Sequence, residues 1–110
     1  MIRIAVCDDE PCFTQQISHV IANHARDISP SPETVLYTSS GQLLYDVEEG
    51  AHFDLLLLDI EMPGINGLEA AEQIRERDKN CSIIFLTAFD EFNYAKRAIA
   101  VRAMEYLLKP

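Results

Sequence analysis

Basic residues are scarce in this chain: 9 Lys and Arg stand against 18 Asp and Glu, a formal net charge of −9 at pH 7. A surface of that sign repels phosphate backbones, which makes the segment a poor nucleic-acid binder and leaves a cationic partner surface or a divalent cation as its natural counterpart. Long apolar runs are missing too. The most hydrophobic stretch, centred on Leu55 to Leu58, is far too short to cross a bilayer, so no membrane span is expected. Glycine and proline, at 4 and 5, are too few for a collagenous or low-complexity chain, while 48% hydrophobic and 25% charged residues suit a globular one. Its 110 residues fit a single domain with one layered core. Cysteine is sparse and odd in number: Cys7, Cys12 and Cys81 cannot all pair within one chain, and no signal-peptide pattern precedes Ile2. Reduced thiols and a cytoplasmic location are therefore expected. Cys7 and Cys12 also lack the two-residue spacing of a metal clip or redox pair.

Strands and helices alternate along the chain. Branched residues at Ile2, Ile4 and Val6 predict a strand ending at Cys7, and Phe13, Ile17, Val20 and Ile21 mark one face of a helix with Pro11 in its first turn. Ser29 to Pro32 break that pattern, and Thr34 to Tyr37 read as a second strand. Ser39 with Gln42 offers a capping box for a short helix carrying Leu43, Leu44 and Val47, closed by Gly50. Phe53 to Asp59, with four leucines and no polar alternation, suits a strand covered on both faces. Pro63, Gly64 and Gly67 punctuate the turn before a helix marked by Leu68, Ala71 and Ile74, and Ser82 to Leu86 form a fourth strand. Asp90 is placed as the cap of a fourth helix with Phe92, Ala95 and Ile99 inward, and Glu105 to Leu108 as a fifth strand. Strict alternation of this kind means right-handed crossovers, a parallel sheet and helices on both faces.

In an open parallel sheet, ligands bind beyond the carboxyl ends of the strands. That edge collects Asp8 and Asp9 after the first strand, Asp59 after the third, Thr87 after the fourth and Lys109 after the fifth. Taken singly each has an ordinary explanation: helix capping for the paired aspartates, a turn for Asp59, a strand position for Thr87, a solvated charge for Lys109. Together, three carboxylates repel one another unless a proton or cation intervenes. Mg²⁺ prefers oxygen ligands and shares its remaining positions with phosphate, and its two charges with that of Lys109 balance the three aspartates. His19 and His24 face different directions on one helix, and His52 precedes a strand at the opposite edge, so none is given a catalytic role.

These residues resemble the receiver domains of two-component response regulators. The resemblance rests on Asp8-Asp9, on D-I-E-M-P-G-I-N-G-L-E from Asp59 to Glu69, on L-T-A from Leu86 to Ala88, and on Y-L-L-K-P from Tyr106 to Pro110. It covers essentially the whole chain and implies an α/β, doubly wound, flavodoxin-like fold with five parallel strands in the order 2-1-3-4-5. It implies Asp59 as the phosphoacceptor. Mg²⁺ would be held by Asp8, Asp9, Asp59 and the backbone carbonyl of Glu61. Lys109, the Thr87 hydroxyl and the Ala88 N–H would meet the phosphoryl oxygens, with Met62 and Pro63 shaping the loop beneath. Thr87 and Tyr106 would form the switch, Glu61 and Phe89 would tune phosphoryl lifetime, and the Lys109-Pro110 bond would be cis. The implied partner is a sensor histidine kinase, and the role is signalling, not enzymatic turnover. Because Phe89 gives attacking water no hydrogen-bonding partner, slow autodephosphorylation is expected.

The stretches L-T-A-F-D-E-F-N-Y-A and A-V-R-A-M-E-Y-L-L-K-P resemble receivers attached to LytTR-type DNA-binding domains. That implies transcription regulation, with DNA contacted only through an output domain absent from residues 1–110. Receivers of this family carry a fifth helix after the last strand, so the chain is expected to be cut one helix short. Leu107 or Leu108 and neighbours from strands one and four would then be exposed, favouring a homodimer driven by that truncation. A stand-alone receiver is the alternative, as is an Mg²⁺-dependent aspartyl-phosphate phosphotransferase or phosphatase. Asp59-Ile60-Glu61 lacks the second aspartate that haloacid-dehalogenase-like enzymes place two residues on.

Overall fold

The computed structural model describes residues 2–27 and 30–109. Ser29 of the predicted break and the Lys109-Pro110 bond expected to be cis lie outside the described residues. The elements run β1 (Arg3–Cys7), α1 (Pro11–His24), β2 (Glu33–Tyr37), α2 (Ser40–Glu48), β3 (Leu55–Asp59), α3 (Gly67–Arg77), β4 (Ser82–Thr87), α4 (Phe92–Ala100) and β5 (Glu105–Leu108). All strand pairs are parallel and the sheet order is β2-β1-β3-β4-β5. Among the described residues no helix is long and apolar enough to cross a membrane.

Register decides which side chains share a face. Ala5 lies beside Leu56, Cys7 beside Leu58, and Leu58 beside Phe85. These five positions of the alternating pattern enter one buried cluster with Leu43 and Leu44 of α2, Leu68, Ala71 and Ile74 of α3, and Ala98 of α4. Their neighbours Ile4 and Val6 point to the other face, where α1 packs on β1 and β2. β3 departs from the expectation of full cover: Leu56 and Leu58 are buried, but Leu55 and Leu57 are only half-buried because α1 sits chiefly over the other two strands. Ile84 and Leu86 of β4 are half-buried on that same side, and Leu107 is exposed there. Leu108 is exposed as well. Strand one does not join this surface, since Ile4 and Val6 lie under α1.

Local signals work unevenly. Pro11 begins α1, where its missing N–H costs no bond. Ser39 accepts from the Gln42 N–H, but the Gln42 side chain turns to Asp46 at 3.1 Å, so only half of the expected capping box forms. A complete box occurs instead at α3, with Asn66 accepting from the Glu69 N–H at 2.9 Å and Glu69 accepting from the Asn66 N–H at 3.3 Å. α4 is the larger correction. Asp90 does not cap it; Glu91 occupies the cap without a side-chain hydrogen bond. Phe92 and Ile99 point outward, 81% and 77% exposed, while Ala98 and Val101 are buried and Tyr94 packs against the core. The inward stripe is thus Tyr94, Ala98 and Val101, about one residue's rotation from the predicted face, and its small central residue lets α4 approach the sheet closely.

One buried cation braces the far end of the molecule. Arg75, 7% exposed, donates to the carbonyls of Val101 at 2.8 Å, Cys81 at 2.6 Å, Asp78 at 3.3 Å and Arg102 at 3.3 Å. It ties the end of α3 to the turn between α4 and β5, where Arg102 adopts a φ of 58°.

Candidate functional site

The site lies at the carboxyl ends of β1, β3, β4 and β5. Parallel pairing brings Cys7 level with Leu58 and Asp59 level with Leu86, so Asp8, Asp59 and Thr87 emerge on neighbouring strands. Lys109 is fixed beside them because its backbone N–H donates to the Thr87 carbonyl at 2.7 Å. One ligand atom from each of Asp8, Asp9 and Asp59 lies within 4.8 Å of the others. Asp8 and Asp59 are buried and Asp9 is exposed.

Asp8 is held from two sides. One carboxylate oxygen accepts from the Glu10 N–H at 2.9 Å, and the other pairs with Lys109 Nζ at 2.6 Å. The same ammonium lies 3.5 Å from Asp59, and 4.3 Å from the centre of the Phe13 ring. Phe13, read from the sequence only as a core residue of α1, therefore faces the cation with its negative ring face. Burial opposes the charge on Lys109, yet its hydrogen bond to Asp8 and the attraction of Asp59 raise its pKa above the ordinary value. Asp59 is pushed from 3.8 up to about 6, first by burial and then by Asp8, with Lys109 pulling the other way. One ammonium thus leaves the three carboxylates undercompensated, and the donors on offer are hard oxygens, a set suited to a divalent ion such as Mg²⁺.

The thiol beneath the site is electrically silenced. Cys7 is buried, its Sγ 3.8 Å from Met62 Sδ, and its pKa rises to about 12 through burial and then the charges of Asp8, Asp59 and Asp9. It stays protonated and a poor nucleophile beside the three carboxylates. Cys7, Cys12 and Cys81 are all free.

Space is tightest behind Asp59. Gly67, the first residue of α3, donates its N–H to the Ile60 carbonyl at 2.9 Å, and a Cβ at this position would lie 2.0 Å from the Asp59 carbonyl oxygen. The sequence shows Gly67 only as turn punctuation; its close approach to the Asp59 backbone emerges from the packing of α3 on β3.

Around the rim, Thr87 is fully buried and its hydroxyl accepts from the Phe89 N–H at 3.1 Å. Tyr106 is half-buried and donates to the Phe89 carbonyl at 3.0 Å. Ala88, Phe89 and Glu61 are exposed, Pro63 is exposed and Met62 buried. Tyr94 of α4 donates to the Glu61 carboxylate, and Arg97, one turn on, pairs with Glu72 of α3 at 2.8 Å. Neither tyrosine-to-loop contact follows from spacing, and the sequence shows Tyr94 only as part of the L-T-A-F-D-E-F-N-Y-A stretch. The three histidines stay away from this edge: His24 bonds the Val20 carbonyl at 2.9 Å, and His52 pairs with Asp78 and Asp54 at 3.1 and 3.5 Å.

Comparison with known proteins gives a consistent match. The family described as response regulator receiver domain matches residues 4–110. The positive alginate biosynthesis regulatory protein of Pseudomonas aeruginosa is 33% identical over 111 residues, covering 99% of this chain and 42% of that protein. The sensory transduction protein LytT of Oceanobacillus iheyensis gives the same identity and coverage over 111 residues. The chain spans about two-fifths of the length of such curated relatives. Among solved structures, the response regulator TrrA of Thermotoga maritima in complex with Mg²⁺-BeF is 34% identical with a TM-score of 0.82, covering 100% of this chain and 88% of that one. TrrA in complex with the histidine kinase ThkA gives 34% identity and a TM-score of 0.80, covering 100% and 87%.

Proposed function

The chain belongs to the response regulator receiver domain family, and from that premise we propose that it is a signalling domain in which Asp59 accepts a phosphoryl group from the phosphohistidine of a sensor histidine kinase. The observation that carries this is the buried Asp59, raised to about 6 and flanked by Asp8, Asp9 and Lys109 at the one sheet edge where this fold takes ligands. An oxygen of the Asp59 carboxylate bonds to phosphorus as the phosphorus–nitrogen bond of the donor breaks, leaving an acyl phosphate on the chain and a neutral histidine on the kinase once its nitrogen has taken up a proton. Asp8, Asp9, Asp59 and the Glu61 carbonyl would hold Mg²⁺, as the hard oxygen donors and the uncompensated charge favour. When bound, that ion supplies charge neutralisation for the transferring phosphoryl group. Lys109 already sits between Asp8 and Asp59, and it serves the same end by turning from Asp8 toward the new oxygens.

The switch follows from the rim. Thr87 spends its hydroxyl as an acceptor within its own turn, and Tyr106 holds the Phe89 carbonyl of that turn. In this reading the Ala88 N–H and the Thr87 hydroxyl donate to a phosphoryl group on Asp59; drawing that hydroxyl inward remodels the turn that Tyr106 grips and alters the face of α4 and β5. The kinase-bound and Mg²⁺-BeF-bound TrrA structures support partner and ion alike. Relatives named as transcriptional regulatory proteins, YxjL and DesR of Bacillus subtilis, support transcriptional output, and the likeness to LytT supports a LytTR-type DNA-binding domain as the route; a cytoplasmic location belongs to the same reading. A homodimer through the surface that includes Leu107 belongs to this reading, and a concentration-independent monomer mass by light scattering removes it.

The test is phosphorylation with phosphoramidate in the presence of Mg²⁺, followed by intact-mass spectrometry. One phosphoryl group per chain, lost in Asp59→Asn and absent with EDTA, is the expected result. Labelling that persists in Asp59→Asn refutes the assignment, and sustained turnover of a phosphomonoester establishes the phosphatase alternative instead.

A further inference from the structure

Hydrolysis of a phosphoryl group on Asp59 requires a water aligned for attack on phosphorus, and few side chains can align it. Phe89, on the turn after β4, is apolar and exposed. Glu61, on the loop after β3 and two residues beyond Asp59, is the flanking side chain with acceptor oxygens. Those oxygens are not idle: Tyr94 donates its phenol proton to one of them. Tyr94 is well placed to keep hold. Its ring packs against the core, and the Arg97–Glu72 pair anchors α4 one turn further along the same side.

We propose that Tyr94 is a positioning residue that sets the lifetime of the acyl phosphate by holding the Glu61 carboxylate away from the hydrolytic water. This rests on the reading of Asp59 as phosphoacceptor. In the hydrolytic step the water oxygen bonds to phosphorus, the bond from phosphorus to the Asp59 oxygen breaks with its electron pair returning to the carboxylate, inorganic phosphate leaves and one proton goes to solvent. A freed Glu61 accepts a hydrogen bond from that water and orients it; a Glu61 held by Tyr94 does not. The chain thereby carries a lifetime control that the identity of residues 61 and 89 alone does not describe, because the carboxylate is present but occupied. Its setting depends on α4, so a partner that shifts α4 shortens the signal by releasing Glu61.

The experiment uses the 110-residue chain as wild type, Tyr94→Phe, Glu61→Ala and the double variant. Thermal melts of the Mg²⁺-free, unphosphorylated proteins come first: Tyr94→Phe is expected to lower the midpoint in the wild-type background and to lower it less in the Glu61→Ala background. Absence of that coupling means the bond is not made, and the proposal falls. Each protein is then loaded with phosphoramidate and Mg²⁺, the donor is removed, and the decay of the phosphorylated mass is followed. Tyr94→Phe is expected to decay roughly three- to tenfold faster than wild type, the population change that losing one restraining hydrogen bond allows. It should make no difference when Glu61 is already alanine. Decay at the wild-type rate, or equal acceleration in both backgrounds, overturns the proposal and leaves Tyr94 a merely structural contact. Failure of the wild type to take up any phosphoryl group overturns the Asp59 reading itself, a result visible before any variant is compared.

Discussion

Replacing Gly67 with alanine tests how closely α3 must approach the backbone of Asp59, the proposed phosphoacceptor. The added Cβ would lie 2.0 Å from the Asp59 carbonyl oxygen, 2.9 Å from its carbonyl carbon and 3.1 Å from Ile60 Cα. Real Cβ contacts essentially never fall below 3.0 Å, so the oxygen contact alone demands a displacement of about 1 Å. All three atoms are backbone, so no flexible side chain can yield, and the movement must pass either into α3 or into the end of β3. Overpacking of this kind costs about 1–3 kcal/mol. A misplacement near 1 Å at a reacting group slows chemistry on the order of a hundredfold. Gly67→Ala should therefore lower the urea midpoint and cut the rate of phosphoramidate-driven labelling of Asp59 far more than the lost stability explains. Gly41→Ala is the matched control: in the first turn of α2 an added Cβ meets only Ser39 Oγ at 3.4 Å, an ordinary contact that calls for no displacement. If Gly67→Ala behaves like Gly41→Ala in both stability and labelling rate, the close approach of α3 to Asp59 is wrong.

Three further outcomes follow from the geometry. Because the Asp59 pKa is raised from 3.8 to about 6, the folded chain binds a proton more tightly than the unfolded one, and this group's contribution to stability declines as pH rises through that window. Asp59→Asn without metal should thus be more stable than wild type above pH 6, by at most about 3 kcal/mol, with the advantage vanishing below about pH 4; a difference that is flat with pH in parallel melts refutes it. Iodoacetamide at about pH 8 should modify exposed Cys12 readily and leave Cys7, with its pKa near 12, unreacted until the chain unfolds; equal labelling by peptide mapping would contradict the burial and charge assigned to Cys7. Arg75→Met removes the donors to four carbonyls and should destabilise by about 3 kcal/mol or more in urea, with Arg75→Lys giving little rescue; a loss below about 1 kcal/mol would show that those carbonyls find other partners.

The sheet order and the convergence of acidic and basic side chains on one edge are legible in the sequence because their signals are local or follow from topology. Alternation of strand and helix implies a parallel sheet, and a parallel sheet brings Asp8, Asp59, Thr87 and Lys109 to one edge whatever the details of packing. What escaped depends on side chains meeting across elements. The face of α4 was misjudged because the size of Phe92 and Ile99 suggests burial, whereas close helix–sheet contact selects the small Ala98. The four leucines of β3 suggest two covered faces, yet cover depends on where α1 lies, which no residue of β3 encodes. Ser39 and Gln42 matched a capping box, but Asp46, four residues on, competes for the glutamine amide. Asn66 and Glu69 carried the box signal in the sequence and could have been found by the same rule. Phe13 and Tyr94 meet partners distant in the chain, and the tight fit of Gly67 against Asp59 depends on how α3 packs on β3, so local pattern does not show these contacts.

Arg75 grips the turn after α4 through main-chain oxygens alone, and main chain is common to every amino acid. That grip therefore asks nothing of the two side chains there, which are limited instead by the burial of Val101 and the left-handed backbone of Arg102; at the α3 end Cys81 is itself buried and also offers its Sγ to Arg75 at 3.5 Å. Position 75 has no such latitude, since lysine offers one nitrogen where the guanidinium serves separate stretches of chain with three. That corner keeps its shape through a single arginine whose bonds go chiefly to the main chain of the segments it joins.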